Sequence, residues 1–330
     1  MTTIDKLSLK TGHGEFNYLT ASTEPSLFRN GRVMMDRDSH GNTASSKGVD
    51  VEAHTMTVHD ARRLPAADRP TCETNGFELL MAPLADESLD FLDHAQVLKD
   101  YYRQCEALVE QATGARAHAF DHNVRSASGK QSEQQIAGGQ HVQGPAHIVH
   151  GDYTLRSAPE RLLQLTRPPS GNDTLAGLLG PDESLIALHD ANRASADGGR
   201  FAIINVWRNI AAEPVATHPI ALCDSQTVMP GDLVVFEIHY PDRIGENYFA
   251  RYAPGQEMYY YPGMTRDEVL LIKQWDSAGP LARSDGAVGD ADDNRAPCTF
   301  SFHSAFADPD TPADAPDRWS IEVRCMVVYE

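Results

Sequence analysis

The sequence predicts a mainly β protein with flanking helices, and three observations indicate this fold class. Beyond about residue 115, short apolar runs rich in β-branched side chains alternate with Gly, Pro and Asp, which is typical of short strands joined by turns. Helical periodicity is confined to two stretches. The 330 residues are 41% hydrophobic and suffice for one elaborated domain. Together these features favour a β-sandwich or a β-barrel.

Residues 1–114 carry the weaker strand signals and the longest helix. Residues 14–19 and 32–35 indicate short strands. Between residues 89 and 112, apolar side chains recur every three or four positions, which predicts a helix with one buried face. We expect these N-terminal strands and this helix to pack on a core formed by residues 115–330.

The predicted strands of the core are short and regularly interrupted. They cover residues 116–123, 146–153, 201–207, 219–222, 232–239, 248–251, 258–261, 269–275, 299–306 and 320–329. A helix is predicted at 158–165, and residues 129–144 and 168–199 are predicted to be long loops, which in compact domains are commonly lids. Because neither an internal repeat nor a linker is evident, residues 1–330 are predicted to form a single domain.

Charge and composition narrow the classes of partner. The formal net charge of −19 repels a phosphate backbone, so we expect no nucleic-acid partner. No apolar run reaches the roughly 20 residues that span a bilayer, and the first residues lack the features of a secretory signal. The five cysteines are scattered without a CxxC pair. We therefore predict a cytoplasmic protein that acts on a small molecule, whereas the sequence does not define an oligomeric state.

Three residues have the spacing of a metal site. His150 and Asp152 lie two positions apart on a predicted strand and so project to one face, while His303 lies on a second predicted strand. Two imidazoles and one carboxylate can occupy one face of an octahedral iron(II) ion and leave three positions open. The absence of a thiolate argues against a structural zinc site. This pattern predicts an oxygen-activating metal centre.

Other histidines are weaker candidates, because the chain contains 14 of them and an HxD triplet arises readily by chance. His147 falls on the opposite face of the strand that carries His150, so we expect it outside the site. His118, His122 and His239 each lack a carboxylate two residues on. The pair at 150 and 152 is therefore favoured as the ligand pair.

A second signal lies at the start of the last predicted strand. If 2-oxoglutarate is the cosubstrate, its distal carboxylate needs a guanidinium and a nearby hydroxyl, and Arg318 and Ser320 have that spacing. Arg324 has the same strand parity and is the alternative. A structural ion pair, for instance with Glu322, would equally explain either arginine. We favour Arg318.

The ordered motifs of the chain resemble the iron(II)/2-oxoglutarate-dependent oxygenases, and among them the hydroxylase/desaturase family of secondary metabolism, of the cephamycin-cluster type. The resemblance covers about residue 115 to the C-terminus, and each motif is weak alone, whereas their shared order is specific. The matching segments are FDHNVR (120–125), VHGDYT (149–154), NVWR (205–208), LCDS (222–225), DEVLLIK (267–273), WDS (275–277), HSAF (303–306) and RWSIEVR (318–324).

The resemblance implies a double-stranded β-helix core of the jelly-roll or cupin type. It implies Fe(II) held by His150, Asp152 and His303, with 2-oxoglutarate and O2 as cosubstrates. It also implies release of succinate and CO2 while a small metabolite is hydroxylated, desaturated or cyclised. The chain departs from the family pattern at Asn209, where Pro is frequent, and at Trp319, where Glu is frequent. Both departures leave the substrate undefined.

Four further residues are possible contacts to the substrate or to the ligands: Arg125, Tyr153, Asn205 and Arg208. Packing or ion pairing explains each of them equally well. Two alternative functions also stay open. One is a cupin-like dioxygenase or hydrolase that does not use 2-oxoglutarate. The other is a β-barrel binding module that has lost its metal.

Overall fold

The strands form two sheets in the computed structural model, which describes residues 11–38, 43–139, 141–170, 173–241, 243–283, 296–309 and 311–330. The strands are β1 (Thr11–Leu19), β2 (Met34–Arg37), β3 (Thr43–Lys47), β4 (Val51–Asp60), β5 (Phe77–Met81), β6 (Arg116–Arg125), β7 (His150–Gly151), β8 (Phe201–Asn209), β9 (Ile220–Cys223), β10 (Leu233–His239), β11 (Ile244–Ala250), β12 (Met258–Tyr260), β13 (Glu268–Asp276), β14 (His303–Ala305) and β15 (Ser320–Val328). The larger sheet has the order β1-β4-β12-β9-β14-β7-β11-β10-β2-β3, and the smaller has the order β5-β13-β8-β15-β6.

The two sheets share the core. Alternate residues of each strand point to opposite faces, and the inward-facing apolar side chains of both sheets belong to common clusters. Phe302 of the segment before β14 and Met326 of β15 lie in one cluster. Leu222 of β9 and Trp207 of β8 lie in another. The sheets are mainly antiparallel, and packed in this way they form the double-stranded β-helix that the resemblance implies.

The helices lie outside the β-helix. They are α1 (His94–Gln96), α2 (Tyr102–Thr113), α3 (Ala127–Gln131), α4 (Ser157–Gln164) and α5 (Leu188–Ser195). The π-helical turn Val97–Tyr101 joins α1 to α2. The α2 helix packs its apolar stripe against the outer face of the smaller sheet, where Cys105 and Val323 of β15 belong to one apolar cluster. It ends at Gly114, whose φ of +67° is accessible to glycine without strain.

A register shift interrupts the pairing of β6 with β15. Arg324 lies opposite Asp121, whereas the next residue, Cys325, lies opposite Ala119, so Phe120 is an extra residue on β6. As a result Phe120 joins the cluster between the sheets, although its neighbour Asp121 also contacts an inward side chain. The bulge therefore turns two consecutive residues of β6 toward the interior.

The predicted fold class is confirmed, with corrections to individual elements. The predicted helix at 89–112 corresponds to helical residues from His94 to Thr113. The predicted strand 146–153 is shortened to the two residues of β7, and β3, β4 and β5 were not predicted at all. The predicted loop 168–199 contains α5, because the buried face of α5 consists of alanines and gives a weak apolar signal.

Membrane-spanning potential can be judged directly from the helices. Among the residues that the structure describes, no helix is both long enough and apolar enough to cross a membrane.

Candidate metal centre

His150, Asp152 and His303 converge between the two sheets. One potential ligand atom from each lies within 4.8 Å of the others, and among the described residues this is the one such group of three or more. The His150 and His303 rings have centroids 4.4 Å apart. The side chains of His150 and Asp152 are 9% and 8% exposed. The spacing and the donor set fit an octahedral divalent ion bound on one face.

Strand pairing brings the three residues together. The single pair between β7 and β14 sets His150 directly opposite His303. Asp152 lies one residue beyond β7, so the ligand pair spans the end of a strand instead of lying within one. The residue between the two candidate ligands is Gly151, and there is no room there for a larger side chain, because a Cβ would lie 2.9 Å from the ring of Phe300. A side chain at 151 would therefore displace the ring or the ligand pair.

Hydrogen bonds orient each candidate ligand. The Nδ1 atom of His150 lies 2.8 Å from the carbonyl oxygen of Ile148, which leaves its Nε2 atom toward the other two ligands. The side-chain oxygen of Gln274 accepts from the backbone N–H of Asp152 at 3.0 Å, and its amide nitrogen lies 3.5 Å from His303 Nδ1. One glutamine thus contacts both ligand-bearing segments.

The two oxygens of Asp152 have different surroundings. Oδ1 lies 3.7 Å from His150 Nε2. Oδ2 accepts from the side-chain amide of Asn205 at 2.9 Å and lies 3.4 Å from Nε of Arg324. One oxygen therefore faces the imidazoles, and the other is occupied by protein donors.

The electrostatics favour the metal-binding protonation states. Burial and the neighbouring His303 lower the pKa of His150 to about 4, so its imidazole is neutral near pH 7. Burial also lowers the pKa of His303. Burial alone would raise the pKa of Asp152, but Arg324 and the two histidines hold it well below its usual range. Two neutral imidazoles and one carboxylate are the states in which these side chains ligate a cation.

Ser320 is the first residue of β15, and Arg318 lies two residues before the strand. Arg318 is 3% exposed, its guanidinium donates to the carbonyl oxygen of His218, and it lies 5.8 Å from the ring centroid of Trp207. Its Nε atom and the Ser320 hydroxyl are buried and have no hydrogen-bond partner among the described residues. Among the described residues, no carboxylate lies within ion-pair distance of this guanidinium. Burial lowers the pKa of Arg318 to about 10.

Arg324, the alternative anchor, is surrounded by carboxylates. Its guanidinium contacts Asp121 at 3.0 Å, Asp152 at 3.4 Å and Glu322 at 3.6 Å. These three carboxylates raise its pKa even though burial acts in the opposite direction. The two candidate arginines therefore have opposite environments.

The structure brings some of the remaining predicted residues to the site. Asn205 contacts Asp152, and the partly buried Tyr153 directly follows it. Arg125 lies opposite Ser320 across the β6–β15 pair, where its side chain donates to the carbonyl oxygen of Gly144 at 2.9 Å.

The structure corrects the prediction that Arg208 contacts the substrate or the ligands. This residue has the opposite strand parity to Asn205, and its side chain donates to the Tyr101 hydroxyl at 2.9 Å on the outer face of the sheet. It is therefore not brought to the site. The bulky Trp319 also faces outward, where its ring lies against Gly129.

The weaker histidine candidates do not join the group of three. His147 packs its ring edge-on against His218, with centroids 4.9 Å apart. His122 contacts the Tyr102 hydroxyl at 2.9 Å, and His239 contacts Glu237.

Gln274, Asp121 and Glu322 contact the site or its arginine and were not predicted as site residues. Asp121 and Glu322 could have been found by strand parity, since Asp121 lies opposite Arg324 and Glu322 shares its face. Gln274 lies between the motifs DEVLLIK (267–273) and WDS (275–277), and the sequence carries no separate signal for it.

Comparisons with known proteins agree with this geometry. The family described as the oxidoreductase/YMDC permease-like domain matches residues 16–177 and 183–328. The chain is 31% identical over 280 residues to the Fe(II)/2-oxoglutarate-dependent dioxygenase nvfI of Aspergillus novofumigatus, covering 83% of each chain. It is 32% identical over 260 residues to the hydroxylase/desaturase poxK of Penicillium oxalicum, covering 70% of this chain and 65% of that protein.

A solved structure has the same fold. The iron and alpha-ketoglutarate-dependent endoperoxidase NvfI superposes with a TM-score of 0.71 at 24% identity, covering 97% of this chain and 98% of that chain. The likeness extends over nearly the whole of both chains, so it supports the jelly-roll assignment for the N-terminal elements as well as for the core.

Proposed function

Since the chain belongs to the oxidoreductase/YMDC permease-like family and to the Fe(II)/2-oxoglutarate-dependent dioxygenases, we propose that His150, Asp152 and His303 hold its iron and that Arg318 and Ser320 hold its 2-oxoglutarate. The enzyme uses Fe(II), 2-oxoglutarate and O2, and its relatives carry out hydroxylation, desaturation and endoperoxidation on small molecules.

The observation that carries the proposal is the pairing of two complementary sites between the sheets. The first is a buried two-imidazole, one-carboxylate group with the donor set of iron(II). The second is a buried guanidinium and hydroxyl whose Nε and Oγ atoms lack hydrogen-bond partners in the part of the chain that the structure describes. An uncompensated buried cation is costly, and a carboxylate ligand would complete both groups. The distal carboxylate of 2-oxoglutarate has the required charge and shape.

When bound, iron and 2-oxoglutarate would supply the oxidising chemistry: O2 would give one oxygen atom to succinate as CO2 is released, and the other would oxidise a substrate C–H bond and end in the product or in water. The protein orients the participants. His150 is fixed through its Nδ1 contact with Ile148, and Asp152 is fixed through Oδ2. The core that encloses the site excludes water, which strengthens the charge pairing at Arg318.

We propose further that residues 1–330 act as one cytoplasmic oxygenase domain on a small metabolite, without a nucleic-acid or membrane partner. The family match extends over nearly the whole chain, which supports a single unit. All five cysteines are free and buried, as in proteins of reducing compartments. The net charge of −19 disfavours phosphate backbones.

The experiment is a succinate-release screen with anaerobically reconstituted protein over amino acids, peptides and small anionic metabolites. We expect release that requires Fe(II), 2-oxoglutarate and a substrate together. Oxygen consumption that does not depend on 2-oxoglutarate would contradict the role given to Arg318 and Ser320. Failure of the reconstituted protein to bind one iron per chain would contradict the role given to His150, Asp152 and His303.

A further inference from the structure

Arg324 is the most heavily paired cation near the candidate metal ligands. Its Nε atom faces Oδ2 of Asp152, Nη1 donates to Asp121 at 3.0 Å, and Nη2 lies 3.6 Å from Glu322. When the amide of Asn123 is oriented to satisfy its neighbours, its oxygen accepts from both terminal nitrogens of Arg324 at 3.0 Å. Every edge of the guanidinium therefore faces a protein acceptor.

A guanidinium in this state is poorly suited to capture a further anion. Its charge is already opposed by three carboxylates, and a 2-oxoglutarate carboxylate would have to displace one of them. It is well suited to hold another group still. Its planar fork cannot rotate without breaking several contacts at once, so the atom at its Nε edge is held in a defined place.

The group at that edge is the carboxylate that we assign to the metal. Oδ2 of Asp152 receives Arg324 on one side and the amide of Asn205 on the other, at 3.4 Å and 2.9 Å. Oδ1 remains directed toward His150. With Oδ2 occupied by two donors, the carboxylate offers one oxygen to a metal and cannot turn to chelate through both.

The contacts continue beyond the barrel. Asp121, which holds Arg324 through Oδ2, accepts through Oδ1 from the Thr174 hydroxyl at 2.8 Å. Thr174 opens the short 3-10 turn Thr174–Gly177, in the connection between α4 and α5, and the next residue, Leu175, is buried in the core. Asp121 is thus restrained on both of its oxygens, and the chain Thr174–Asp121–Arg324–Asp152 links this turn to the metal site.

We infer that Arg324 is a positioning residue that holds Asp152 as a single-oxygen metal ligand, and that Asp121 and Thr174 support it in that order. The inference rests on the proposed metal site. It assigns Arg324 to the metal side of the site and leaves the 2-oxoglutarate side to Arg318. A loosened Asp152 should weaken metal binding itself, before any cosubstrate is present.

The test measures binding of Mn(II) alone, without 2-oxoglutarate or O2, from the electron paramagnetic resonance signal of the free ion. Arg324→Lys keeps the charge but lacks the planar fork, and we expect it to weaken Mn(II) binding by roughly tenfold or more. Asp121→Asn should give a smaller loss, and Thr174→Val the smallest, of about twofold. Thr174→Val removes one hydroxyl of a partly buried residue and keeps the series informative if Arg324→Lys does not fold.

The matched control is Arg62→Lys. Arg62 makes a two-point contact with Glu268 at 2.6 and 3.0 Å and contacts none of the proposed ligands. We expect this variant to lower the unfolding temperature and to leave Mn(II) affinity unchanged. If Arg324→Lys also lowers only the unfolding temperature, Arg324 merely joins β6 to β15 and the inference is wrong.

A second outcome would overturn the inference differently. An Arg324→Lys variant with unchanged Mn(II) affinity but a sharply raised 2-oxoglutarate requirement would make Arg324 the anchor. Asp152→Ala separates these results from failure of the metal site. If wild type and Asp152→Ala bind Mn(II) equally weakly, the assignment of the metal ligands in the proposed function is wrong. The inference about Arg324 is then wrong as well, because it rests on that assignment.

Discussion

Arg318, two residues before β15, is buried and Arg324, within β15, is largely buried, yet their surroundings differ in every respect that decides what a cation does. Arg324 contacts three carboxylates, whereas Arg318 contacts a backbone carbonyl and an aromatic ring, and among the described residues neither its Nε atom nor the Ser320 hydroxyl has a hydrogen-bond partner. From the sequence, the alternation of side chains along the last predicted strand places both arginines on the same face and does not distinguish them. The comparison teaches that a charge with its partners built in restrains its neighbours, while a charge without them is available to a ligand.

The largest expected effect removes the group that Arg324 holds. Asp152→Ala should reduce substrate-dependent succinate release to background, because it deletes the one carboxylate of the proposed ligand set and leaves Arg324 facing an empty position. Iron content after anaerobic reconstitution should fall with it. Full activity in this variant would refute the ligand assignment and remove the basis for the contrast between the two arginines.

The next effect addresses Arg318 directly. Arg318→Ala should raise the concentration of 2-oxoglutarate needed for half-maximal turnover by about ten- to a hundredfold, since a charge-assisted contact of roughly 1.5–3 kcal/mol is lost. Mn(II) affinity measured without 2-oxoglutarate should stay near that of wild type. An unchanged 2-oxoglutarate requirement, together with a defect in Arg324→Lys, would exchange the two roles.

Ser320→Ala tests the same end of β15 more gently. Removal of a single neutral hydroxyl should raise the 2-oxoglutarate requirement by about three- to tenfold, which corresponds to roughly 0.5–1.5 kcal/mol. Steady-state succinate release against 2-oxoglutarate concentration provides the measurement. In the absence of 2-oxoglutarate, the unfolding temperature should not fall, because the hydroxyl makes no hydrogen bond to any residue that the structure describes. A fall in that temperature with no kinetic effect would show that Ser320 only supports packing.

The smallest effect serves as the control for the metal ligands. His147→Ala should change iron binding by no more than about twofold, because the ring packs against His218 and lies outside the ligand group. Iron titration of the folded variant checks this expectation. Loss of iron would mean that the segment before β7 contributes a ligand that the geometry does not indicate.

Much of this site could be anticipated from local sequence rules. The HxD spacing, the late histidine and the parity of Arg318, Ser320 and Arg324 all follow from alternation along strands, and strands are where the sequence signal is strongest. His147 lies outside the group formed by His150, Asp152 and His303, but strand alternation does not explain its position, because β7 covers only His150–Gly151.

The remainder depends on contacts between elements that are distant in sequence. The choice between Arg318 and Arg324 turns on Asp121 and Asp152, which pairing and loop geometry bring to Arg324. Gln274 reaches both Asp152 and His303 from another strand of the opposite sheet. The outward position of Arg208 was predictable from parity with Asn205, but its attraction to Tyr101 of the helical layer was not.

The extra residue at Phe120 makes β6 sensitive to chain length in a way that point substitutions do not report. Asp121 and its neighbour Phe120 both face the interior, because Phe120 is the extra residue of the bulge. That one added residue therefore changes which side chains of β6 point inward on the two sides of the bulge. Deletion of a single residue here would send either the carboxylate or the ring to the helix side. We therefore expect insertion–deletion scanning to show a sharp intolerance at 119–121 that an alanine scan of the same positions would understate.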